Sequence, residues 1–61
     1  MNYSRTELEE AKRAIASTIG KCEKSLSKLK ENSAQKTLLE RRIKAFLIAV
    51  ALIERELVLA D

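Results

Sequence analysis

The chain has 61 residues, with twelve basic and nine acidic side chains for a formal net charge of +3, one Cys, one Gly, and no His, Pro or Trp. A chain this short holds one small domain, and below about 70 residues the apolar surface buried seldom suffices without a disulfide, a metal or a second subunit. Cys22 alone cannot close an internal disulfide, and without His the usual ligand sets for structural zinc are missing, which leaves self-association as the expected staple.

The opening "MNYSRTELEE" has no basic segment leading into an apolar core, so it does not read as a secretory signal, and a cytoplasmic address is the expectation. Ser4 followed by Glu7 makes a capping box, and Tyr3 and Leu8 occupy the positions of a hydrophobic staple. Glu7, Glu9 and Glu10 then load the first turns with negative charge, while Lys28 and Lys30 close the far end, both as the helix dipole favours. Leu8, Ile15, Cys22 and Leu29 recur every seven residues, with Ile19 and Leu26 on one flank and Ala11, Thr18 and Ser25 on the other. This pattern predicts a first helix over about 4–31. Within it, Cys22 reads as a small apolar seam residue, and Gly20, with Ala16, Ser17 and Ser27, as part of an uncharged outward patch.

The pattern breaks only at "KENSAQ". Asn32 can adopt the left-handed conformation that ends a helix, and Asn32 or Ser33 can cap the next one, so a turn is expected at about 31–34. Two helices joined so tightly fold back as an antiparallel hairpin. The second helix is predicted over about 34–60. Its Leu39, Ile43, Phe46, Val50, Ile53 and Leu57 alternate spacings of four and three and form the seam that faces the first helix.

That seam leaves apolar side chains over. Residues 45–53 are an unbroken apolar run, too short for the roughly 20 residues that cross a bilayer and bracketed by charge, so no membrane partner is expected. At 100° per residue, Leu38, Ala45, Ala49 and Leu52 lie on one side of the seam, Leu47 on the other, and Ile48, Ala51, Val58 and Leu59 further round. One neighbouring helix cannot cover all of these, so the expected fold class is all-α: a coiled-coil-like two-helix hairpin pairing with a second copy into a four-helix bundle. The expected interface is Leu38, Ala45, Phe46, Ala49, Val50, Leu52, Ile53 and Leu59.

Charge suggests an orientation. Residues 21–44 carry eight basic and three acidic side chains, whereas the remainder carry four basic and six acidic ones, so the hairpin is electrically bipolar. The second helix also opposes its own dipole, with Lys36 at its start and Glu54, Glu56 and Asp61 at its end. An antiparallel homodimer would bring Arg41, Arg42 and Lys44 against the partner's Glu54 and Glu56. Such pairs set orientation more than affinity.

Catalytic chemistry finds little support: there is no His, no nucleophile beside a base, no glycine-rich phosphate loop and no cofactor motif, and no enzyme or cofactor is expected. Glu54 and Glu56 diverge around their helix, while Glu7 and Glu10 sit where capping accounts for them. Lys21, Lys24 and Lys28 line up at helical spacing and, with Arg41, Arg42 and Lys44, offer contacts for phosphate or an acidic partner, so weak nucleic-acid binding by the basic turn end is the competing reading. Against it, Tyr3 and Phe46 are the only aromatics, and no stacking platform or DNA-reading motif emerges. In size and pattern the chain resembles the short helical hairpins common among bacterial and mobile-element reading frames, a class without a defining motif. The expected role is that of a small adaptor or regulatory protein working through contacts with itself or with another helical protein.

Overall fold

A computed structural model describes residues 2–31 and 33–60, and within them the chain is all-helical: α1 spans Arg5–Leu26 and α2 spans Ala34–Leu59. Each helix begins where a short polar side chain can replace the missing intrahelical acceptor. Ser4 Oγ accepts from the Glu7 N–H at 3.1 Å, while the Ser4 N–H donates to Glu7 Oε1 at 3.0 Å, closing the capping box. Ser33 Oγ accepts from the Lys36 N–H at 3.1 Å and so caps α2. The left-handed turn expected at Asn32 and the terminal charge of Asp61 lie outside the described residues.

The first helix stops at Leu26, short of the expected position 31, and the connection is correspondingly longer. Ser27 N–H still reaches Glu23 O, but Lys28 and Leu29 donate to carbonyls only three residues back, on Ser25 and Leu26, so the winding tightens beyond Ser27. Ser27 Oγ also donates to Lys24 O at 2.7 Å, a local bond that competes with the regular ladder. Leu29 remains half-buried, so the seam continues past the end of regular helix.

The helices run antiparallel. Arg5 at the start of α1 lies against Leu57 and Ala60 at the end of α2, and further along Lys12 Nζ sits 3.1 Å from Glu54 Oε2. In α1 the half-buried positions are Lys12, Ile15, Ile19, Gly20, Cys22 and Leu26, following buried Leu8; in α2 they include Leu39, Ile43, Phe46, Val50, Ile53 and Leu57. The Ile19 and Leu26 flank of α1 therefore faces its neighbour, while Ala11, Thr18 and Ser25 are exposed. Cys22 lies on the seam as a free thiol. An added Cβ at Gly20 would meet nothing within 4 Å, so no contact inside the hairpin requires glycine there.

Two helices alone shelter little. Leu8, 7% exposed, is the one buried residue among those described, and none is fully sealed from solvent. The molecule measures 45 × 15 × 15 Å, with a radius of gyration of 14.0 Å against about 10–11 Å for a compact chain of this length. Its accessible surface is 5161 Å², whereas a compact monomer of this mass would expose about 4,000 Å².

Candidate interaction surface on the second helix

The apolar side chains that α1 does not reach sit on α2. Leu38, Leu47, Ile48 and Leu52 are all more than half exposed, and Val58 and Leu59 are 85% and 72% exposed. Ala45 and Ala51 are also exposed, whereas Ala49 is half-buried at the edge of the seam. Of the eight residues expected in an interface, Phe46, Val50 and Ile53 are half-buried on the seam that faces α1, where the spacing also placed them. Leu38, Ala45, Ala49, Leu52 and Leu59 remain. They form a stripe beside the seam, because steps of seven residues bring a helix almost back to the same side.

The charges at the open end of the hairpin are largely satisfied within the chain. Arg5 Nη2 donates to Leu57 O at 3.0 Å and to Ala60 O at 2.8 Å, neutralising carbonyls that α2 leaves without partners. The sequence reading missed Arg5. The signal was present: α2 has no basic residue in its last turn, and α1 opens with an arginine placed against its own dipole. Glu54, expected to await a partner chain, is held by Lys12. At the start of α2, Lys36 donates to Glu31 Oε1 at 3.0 Å, and that hydrogen bond is the main reason its ammonium is held above the ordinary lysine value. Glu7 is displaced the other way: the Ser4 backbone and then the Ser4 hydroxyl hold its carboxyl below the ordinary glutamate value. Arg41, Arg42, Lys44 and Glu56 have no ion-pair partner among the described residues.

Lys21 and Lys24 are exposed on the side of α1 that faces away from α2, and Lys28 is exposed in the connection after α1. Arg41 and Lys44 are exposed on the side of α2 that faces away from α1, with Arg42 nearer the seam. Of the six expected phosphate contacts, Lys21 and Lys24 thus lie on the opposite side of the hairpin from Arg41 and Lys44. A shallow groove of about 400 Å³ gathers Arg5, Glu9, Lys12, Arg13, Ala16 and Leu57, but two of its three cations are already engaged, by the α2 carbonyls and by Glu54. Tyr3 and Leu8 line another groove, with Ile53, where the expected staple leaves Leu8 covered and Tyr3 more than half exposed.

Among the described residues there is no group of three potential metal ligands, and no helix is long and apolar enough to cross a membrane. No protein-family model, curated protein or solved structure matches this chain.

Proposed function

We propose that this chain is a small non-enzymatic interaction protein, an adaptor or regulatory subunit, whose working form is a homodimeric helical bundle. One observation carries the reading: among the described residues Leu8 alone is buried, while six large apolar side chains of α2 stay more than half exposed. Its accessible surface exceeds that of a compact monomer by roughly 1,200 Å², more than the ~800 Å² that each partner contributes to a stable protein interface. A second copy covering part of α2 would complete a core that one neighbouring helix leaves open.

Binding to nucleic acid has weaker support, because a phosphate backbone following Lys21 and Lys24 along α1 would not meet Arg41 and Lys44 on the far side. Sedimentation equilibrium at micromolar concentration is the direct test of self-association. The expected mass is twice the 6.9 kDa of one chain, and a stable single-chain mass there would refute the reading.

A further inference from the structure

Two apolar flanks of α2 are open, and they differ in how far they extend and in how their charges are used. On one, Leu38, Ala45, Leu52 and Leu59 recur every seven residues with Ala49 among them, spanning 21 residues or about 31 Å. Arg41 falls at the same angle around the helix as Leu59, and two further charged residues lie at equal distances from the middle of the stripe. Arg42 lies seven residues before Ala49 and Glu56 seven after it; both are exposed, and neither has an ion-pair partner among the described residues. On the other flank the apolar residues are Leu47, Ala51 and Val58, a shorter set, and the acid beside them, Glu54, is already held by Lys12 at 3.1 Å.

Equal spacing of opposite charges about a small residue has a geometric consequence. We infer that two copies of the chain pair antiparallel through the Leu38, Ala45, Ala49, Leu52 and Leu59 face of α2, in a register centred on Ala49 that sets Arg42 of each copy against the partner's Glu56. This rests on the self-association proposed above and specifies its face, direction and register. A two-fold axis at Ala49 makes the contact self-complementary, as a closed dimer requires. It also brings Leu38 within one residue of level with the partner's Leu59, and Ala45 within one residue of level with the partner's Leu52. Bulky side chains then meet at the ends and small ones near the middle, where Ala49 lets the helices approach closely. A parallel pair would stack Arg42 on the partner's Arg42 and Glu56 on the partner's Glu56, and like charges so placed oppose association.

Charge reversal separates these arrangements. Arg42→Glu and Glu56→Arg each replace two attractive contacts per dimer with two repulsive ones, so at low ionic strength each raises the dimer dissociation constant about tenfold. The double variant restores opposite charge across the axis and returns the constant to within about twofold of the parent. Glu56→Arg also improves the match to the α2 dipole, so weaker association from it cannot come from a poorer helix. Helical content from circular dichroism is followed alongside, and Lys44→Glu, on the other flank, leaves association unchanged. A parent protein that is itself monomeric overturns the self-association reading. A dimeric parent with unaffected single variants, a double variant weaker than either single, or Lys44→Glu as damaging as Arg42→Glu overturns this face and register and leaves self-association standing.

Discussion

Ser4 and Glu7 fix where the chain enters its first helix, because each answers an unpaired group of the other: a hydroxyl accepts from one N–H and a carboxylate from another. That reciprocity is visible in the sequence as a Ser with a Glu three residues on, and the structure closes both bonds. It also carries a pH dependence whose sign is fixed. The Glu7 carboxyl is held below its ordinary value in the folded chain, so its stabilising contribution is fully present above the unfolded value and is lost as pH falls through the lower folded one. Lys36 behaves oppositely: its contribution is present below the ordinary lysine value and lost as pH rises through the raised one. In thermal melts followed by circular dichroism, the parent should lose stability on acidification below about pH 4.5, and Glu7→Gln should show a smaller loss over the same interval.

At the scale of the helices, the part that could be read from sequence is the part governed by periodicity. Every predicted seam residue of α2, from Leu39 to Leu57 in steps of four and three, is half-buried where the pattern puts it. The end of α1 was less legible, since the apolar repeat runs on through Leu29 while the Ser27 hydroxyl and three-residue bonds interrupt the regular ladder. Least legible was the tie between Arg5 and the end of α2, which joins residues 52 and 55 positions apart. Its signal, an arginine set against the α1 dipole and a last turn of α2 without a basic residue, lies in two distant segments and joins only when the antiparallel helices are considered together. Arg5→Ala removes two hydrogen bonds from a cation to helix-end carbonyls and should cost about 1 kcal/mol, reduced from the usual value for a charged donor because the site is exposed. Arg13→Ala, at an exposed position without an ion-pair partner among the described residues, should change stability by no more than about 0.5 kcal/mol, and urea unfolding of the two variants makes the comparison.

For the molecule as a whole, the deciding fact is how little two helices can hide from each other. A pair of cylinders meets along one line, so seam residues such as Phe46 and Val50 stay half-buried at its open edges, and Leu38, Leu52 and Leu59 lie outside it. The apolar composition of α2 foretold that surplus. Which charges would remain for a partner was not foretold, since Lys12 takes Glu54 and Arg5 takes the end of the helix only after the hairpin has closed. If folding is completed by a second copy, unfolding is also dissociation, and the melting temperature must depend on concentration. With about 0.7 kcal/mol of unfolding enthalpy per residue over two chains, the midpoint should rise by roughly 6 °C for each tenfold increase in protein. Thermal denaturation measured from about 5 to 500 µM reads this directly: a midpoint that climbs by several degrees per decade is the predicted result, and one that stays fixed across the series would contradict the account.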